Sequence, residues 1–243
     1  MATEGLSSER REATLLVTID NGPDNLFSPA MVNELAEQIR AAASQPEPDL
    51  RFVRLRSRGD VFCLGREGAS REAPQPRPRA VQAVAAAIVG LNELIQTTPL
   101  VVVAEVQGDA AGFGAGLVGN ADLAVAAESA RFAFPEILAG YAPAVVIGWL
   151  SRAVPRKRAF EMVTTGGWVD ADVAFRDGLI TEVVSGDGLE AGVDERIQEL
   201  ATLDATALRD AKCLFARTRA MDPASAAAAS IDSLALALAG GAS

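Results

Sequence analysis

The chain has 243 residues, 49% of them apolar, and its 22 Lys and Arg against 32 Asp and Glu leave a net charge of −10. That length and composition support one large domain, or one domain with a helical appendage, and the acidic balance is the wrong footprint for a nucleic-acid groove. There is no histidine, which excludes Ser-His and Cys-His nucleophile pairs and the HExxH zinc helix, and leaves acid–base work to carboxylates, Lys, Tyr or Cys.

The opening MATEGLSSERREATLL is polar and charged and reads as no signal peptide. No apolar run approaches the length of a membrane span. Cys63 and Cys213 fit no CxxC motif, so reduced thiols in a cytoplasmic protein are expected. Residues 13–20 read as a strand rich in Leu, Val, Thr and Ile, followed by a turn at 21–25 (NGPDN). Ser28 then caps a helix that has Pro29 at its first position and Met31, Leu35 and Ile39 on one stripe. Prolines at 45–48 break it. Residues 51–57 alternate as a strand, with Phe52, Val53 and Leu55 available to a core, and 59–68 (GDVFCLGREG) form a glycine-bounded loop. Residues 71–79 are polar and proline-rich and read as a mobile surface loop. A helix over about 80–96, a strand at 101–106, short strands at 129–134 and 179–184, and helices at 154–163 and 170–175 follow. From Leu189 onward the chain is Ala-rich and helical, interrupted at Asp222-Pro223. Strands alternating with helices give an α/β class with a helical C-terminal part. The division is a core over 1–188 and a helical region over 189–243.

The most informative stretch is 107–144. The β-branched strand runs into a glycine-rich turn, Gly112-Phe113-Gly114-Ala115-Gly116, and the stripe Leu117, Ala121, Ala124 reads as a continuing buried helix. Fourteen residues after Asp122, Glu136 sits in Phe134-Pro135-Glu136 among apolar neighbours. A strand, a glycine turn, a helix start and a buried acid suggest a site that holds an oxyanion and moves a proton. The turn is no dinucleotide fingerprint, since it lacks G-x-G-x-x-G and a downstream acid for the ribose. Cys63 has no histidine partner and is explained as a small buried residue.

Five segments, in order, resemble the crotonase superfamily, the enoyl-CoA hydratase/isomerase family. These are NLFSPAMVNEL from Asn25; Phe62-Cys63-Leu64-Gly65-Arg66-Glu67, similar to an F-x-x-G-x-D loop with Glu for Asp; Val106-Gln107-Gly108 with Gly112 to Gly116, similar to V-x-G-x-x-x-G-G-G; Phe134-Pro135-Glu136; and GGWVDADVAFRDGLITEVV from Gly166. The resemblance covers about residues 13–184. It implies a crotonase-like spiral of ββα units, a C-terminal helical region used in trimer contacts, a homotrimer or a dimer of trimers, and an acyl-CoA substrate. It implies no cofactor beyond the coenzyme A of that substrate, and no nucleic-acid or membrane partner. The chemistry implied is a thioester enolate held by two backbone N–H groups.

Carried over, the first donor is the N–H of Leu64 and the second that of Phe113. The family has glycine at the latter position, so Phe113 either carries the donor or packs into the core and distorts the hole. Of two acids found in family hydratases, one position is Gly116 here and the other is Glu136. One remaining carboxylate fits an isomerase that shuttles a proton from C2 to C4. Hydration by a non-standard site, C–C cleavage through the same enolate and a non-catalytic CoA-binding relative are the alternatives. Cys63, Gly65, Arg66, Gly114, Gly116, Tyr141 and Ala144 are expected around the substrate. Tyr141 either donates into the acyl pocket or packs locally; Ala144 stands where many hydratases have glycine; Arg66 either approaches a CoA phosphate or is solvated. Asp109 is a possible displaced acid or a turn residue, and Lys212 either reaches the nucleotide end of CoA from a neighbouring subunit or is solvated. The absent side chain at Gly116 leaves room for a branched or ring-bearing acyl group.

Overall fold

The computed structural model describes residues 3–44, 50–68 and 78–240. The proline break at 45–48 and most of the loop expected at 71–79 lie outside the described residues. β1 (Leu6–Arg11) and β2 (Thr14–Ile19) form an antiparallel hairpin, and α1 (Pro29–Ser44) leads to β3 (Phe52–Ser57), parallel to β2. Ser28 Oγ accepts the Met31 N–H (3.2 Å), the N-cap expected before Pro29.

One step then repeats: a strand in a large sheet, a short strand in a small sheet, then a helix. β3, β4 (Val61–Cys63) and α2 (Pro78–Thr97) make one turn; β5 (Val101–Val106), β6 (Asp109–Ala111) and α3 (Phe113–Asn120) make the next. β7 (Leu123–Ala127) and β8 (Arg131–Ala133) begin a third, continued by a 3-10 turn at Pro135–Ala139 and by α4 (Ala144–Ala153). α5 (Arg156–Thr165), β9 (Val169–Asp170), α6 (Ala171–Arg176) and β10 (Glu182–Val184) follow, then α7 (Leu189–Ala201), α8 (Ala205–Thr218) and α9 (Pro223–Gly240). The large sheet runs β1-β2-β3-β5-β7-β10 and the small one β4-β6-β8-β9. This is the expected spiral of ββα turns with helices at its C-terminal end.

β5 shows why the chain folds this way. All six of its residues are buried, as a strand covered on both faces requires. Val102, Ala104 and Val106 join Val53 and Leu55 in the main core, while Val101 and Val103 join Phe52 in a second cluster with Leu189 and Val193 of α7. That second face also buries Arg54, which donates to Glu105 and to Asp194 of α7 (both 2.6 Å).

Several expectations change. The stripe through Leu117, Ala121 and Ala124 is not one helix: α3 stops at Asn120, and Ala124 lies in β7, parallel to β5. The strand LAVAA is buried and alanine-rich, so it lacks the β-branched signature that would separate it from a helix. The helix expected at 154–163 is really α5, and α4 before it went unpredicted; Pro155 separates the two. β1 was missed because only Leu6 of its six residues is buried, the rest of this edge strand being polar. α2 is long and apolar enough to cross a membrane by length and composition, contrary to the expectation drawn from the sequence. Its buried residues Ile88, Leu91 and Ile95 pack on the main core.

Candidate active site

β4 and β6 end side by side, and the loops beyond them meet at the N-terminus of α3. The first loop is held from below by the turn after β2. Asn25, 1% exposed, donates through Nδ2 to the carbonyls of Arg58 and Val61 (both 2.8 Å) and accepts the Asn21 N–H through Oδ1. Phe27 N–H donates to Gly65 O (3.0 Å), and Glu67 N–H donates to Phe27 O (2.9 Å). The Gly65–Arg66 peptide is trans, so with Gly65 O turned to Phe27 the N–H of Arg66 points the opposite way.

The second loop makes its left-handed residue at Gly112, with φ +52°. Gly112 is the N-cap of α3, and Phe113 is the first helical residue. The N–H groups at the start of a helix have no carbonyl one turn back and carry the positive end of its dipole. They are brought against the first loop by a close approach: a Cβ on Gly114 would overlap the carbonyl of Cys63. Only glycine fits there. The Phe113 side chain is 9% exposed, and its ring lies 4.8 Å from that of Phe27.

Glu136 closes the arrangement. The 3-10 turn at Pro135–Ala139 follows β8 and ends on Gly140 in the left-handed region, which carries the carboxylate back over Gly112. Glu136 Oε1 lies 3.3 Å from where a Cβ on Gly112 would be. Its Oε2 is buried with no hydrogen-bond partner among the described residues. Burial pushes the Glu136 carboxyl above the usual carboxylate value, opposed by its own backbone N–H and by the charge of Arg66. A half-buried acid with an unpaired oxygen, beside helix-start N–H groups, can take up and release a proton next to a site that stabilises negative charge.

A model of the family described as enoyl-CoA hydratase/isomerase matches residues 9–235 of the chain. The chain belongs to the enoyl-CoA hydratase/isomerase family. It is 35% identical over 170 residues to the mitochondrial enoyl-CoA hydratase domain-containing protein 3 of Xenopus laevis, covering 69% of this chain and 56% of that protein. The chain thus matches little more than half the length of that relative. It is 31% identical over 196 residues to the (7aS)-7a-methyl-1,5-dioxo-2,3,5,6,7,7a-hexahydro-1H-indene-carboxyl-CoA hydrolase of Mycobacterium tuberculosis, covering 81% of this chain and 77% of that one. The crystal structure of an enoyl-CoA hydratase from Mycobacterium smegmatis superposes with a TM-score of 0.90 at 31% identity, covering 97% of this chain and 91% of that one.

Against the residues expected from the family, Glu136, Gly112, Phe113, Gly114, Gly65 and Arg66 come together. Leu64 is a correction. Its N–H already donates to the carbonyl of Asp24 (2.9 Å), so it holds the loop in place and is not free to meet a substrate oxygen. The Arg66 N–H, two residues on, is the one turned away from Phe27. The feared distortion at Phe113 does not arise, because Gly112 takes the positive φ and Phe113 is helical. Cys63 is fully buried, its thiol donates to Gly65 O (3.2 Å), and burial pushes it up to about 12, which suits a structural thiol.

Tyr141 donates its backbone N–H to Glu136 O (3.1 Å), and the residue is 45% exposed. Ala144 is exposed at the first turn of α4. Asp109 is in neither a turn nor the site: it lies in β6 and takes a bidentate bond from Arg131 (3.0 and 2.6 Å), whose guanidinium lies over the Trp168 ring. Lys212 is neither solvated nor available to a nucleotide. It is 8% exposed and donates to the carbonyls of Ile95 and Leu100 and to Asp122 (3.0, 2.5 and 2.6 Å). The sequence reading missed Asp24, Asn25 and Phe27 as the residues that fix the first loop; the turn signal NGPDN was visible, but its partners 33 to 40 residues away were not.

Proposed function

We propose that this chain is an acyl-CoA enzyme working through a thioester enolate, with Glu136 as its acid/base. The single observation that carries this reading is the Glu136 carboxylate: half-buried, raised in pKa, one oxygen unpartnered, and set beside Gly112 at the start of α3. The thioester oxygen sits between the N–H groups of Arg66 and Phe113. Those donors are fixed before charge develops, which is where such sites gain most over water. Glu136 removes a proton from C2 of a 3-enoyl thioester, the electron pair delocalises into the dienolate, and the same carboxyl, whose proton exchanges with solvent, delivers one at C4. The product is the 2-enoyl isomer. Gly116 supplies no second acid, so isomerisation is favoured over hydration.

A second reading is C–C cleavage through the same enolate. It is favoured by the similarity to the mycobacterial hydrolase, whose name gives a bicyclic carboxyl-CoA substrate. In the assembly we propose a homotrimer, or two of them, because α9 leaves Ile231, Leu234, Leu236 and Leu238 each more than 60% exposed.

Product analysis separates the chemistries. Incubation with 3-hexenoyl-CoA and 2-hexenoyl-CoA, read by mass spectrometry, should give double-bond migration without a 3-hydroxyacyl product. A 3-hydroxyacyl-CoA as the main product would overturn the isomerase reading.

A further inference from the structure

α3 is packed to very different degrees along its eight residues. A Cβ on Gly114 would overlap Cys63, and one on Gly119 would run into the Trp149 ring. At Gly116, between them, a Cβ would meet no atom of the described residues within 4 Å outside its own helix. Yet Gly116 is buried. A buried glycine with none of the described side chains against it leaves room beside the helix, and protein interiors keep little such room.

The open side of Gly116 leans toward the reacting carboxylate. On a helix the Cα–Cβ direction leans to the N-terminus, here toward Gly112, whose carbonyl accepts the Gly116 N–H (2.9 Å) and beside which Glu136 Oε1 lies. The polar groups of Gly116 itself are committed. Its carbonyl accepts from Asn120 Nδ2 (2.7 Å), and Asn120 Oδ1 in turn accepts from Gln96 (2.5 Å). A water seated there would gain no partner from Gly116, and ordered buried waters need two to four. With Glu136 and the helix-start N–H groups engaged by the thioester, the occupant beside Gly116 is apolar.

We infer that Gly116 forms the floor of a side pocket for a ring or branch on the acyl group, and that the substrates are ring-bearing or branched acyl-CoA thioesters rather than straight-chain ones. This rests on the reading that the acyl group lies beside Glu136. Side chains grown from position 116 set the depth of the pocket, so Gly116 is a specificity-determining residue.

The test is equilibrium binding by calorimetry of cyclohexylacetyl-CoA and hexanoyl-CoA, which needs no turnover. Wild type should bind the ring-bearing thioester at least about tenfold more tightly, the scale on which one or two methylenes are discriminated in an apolar pocket. G116V should abolish that preference and G116A should reduce it; circular dichroism and the melting midpoint confirm that each is folded, and G116A decides if G116V is not. Equal binding of the two thioesters by wild type, or a preference unchanged in the folded variant, overturns the inference. Loss of the Glu136 reading would show separately, as absent proton exchange with thioesters that nonetheless bind.

Discussion

Two carboxylates fourteen residues apart, Asp122 and Glu136, sit at opposite ends of α3, and burial raises the pKa of both. At the C-terminal end the carboxylate is paired with a cation and the cation is fully bonded. Asp122 Oδ2 accepts from the Val102 N–H and from Lys212 Nζ (both 2.6 Å), and Lys212 donates to two further carbonyls. This end joins α8 to the starts of β5 and β7. At the N-terminal end Glu136 keeps an oxygen without a partner, next to helix-start N–H groups and the space at Gly116. The two carboxylates therefore serve different ends. A paired charge fixes the architecture; an unpaired one is held ready for a substrate.

Exchanging the chemistry at each end sharpens this contrast. The largest effect is expected from E136Q, which should lower turnover by about 10²–10⁴ while leaving the fold intact. The same variant should melt higher than wild type at neutral pH. A carboxyl whose folded pKa lies above its unfolded value contributes stability below the usual 4.5 and loses it as pH rises through the folded value. The advantage of Gln should accordingly fade as pH falls below that range. Activity that needs ionised Glu136 should fall on acidification at a pH above the ordinary carboxylate range.

At the other end K212M should lose about 3 kcal/mol, because it leaves the Ile95 and Leu100 carbonyls and Asp122 without the ammonium that bonds all three; denaturant titration reads this. G114A comes next, at about 1–3 kcal/mol, since its Cβ would force α3 away from the Cys63 carbonyl; loss of activity should accompany it. The smallest effect belongs to D109N. Its Arg131 pair is half-exposed at the guanidinium, so it should cost under about 1 kcal/mol and leave turnover within about twofold. A large loss of turnover in D109N would reinstate Asp109 as a displaced acid.

Much of this contrast was legible from residue types alone. Glycines around Phe113 and a lone acid among apolar residues at Glu136 are local signals, and the structure places them together. Lys212 could not be read. Nothing in its helical surroundings distinguishes a lysine facing solvent from one whose ammonium meets two carbonyls and an acid ninety or more residues earlier. Leu64 failed for a related reason: the motif identifies the loop, but which N–H is free depends on the Asp24 carbonyl, supplied by a different turn. β7 was misread because burial between β5 and β10 allows alanine where an exposed strand would favour β-branched residues.

The most direct test of the central claim is deuterium incorporation at the α and γ carbons of 3-hexenoyl-CoA in D₂O, followed by mass spectrometry for wild type and E136Q. Enzyme-dependent incorporation that nearly vanishes in the folded E136Q protein is the predicted result. Incorporation at the wild-type rate in E136Q would contradict the assignment of Glu136 as the group that moves the proton.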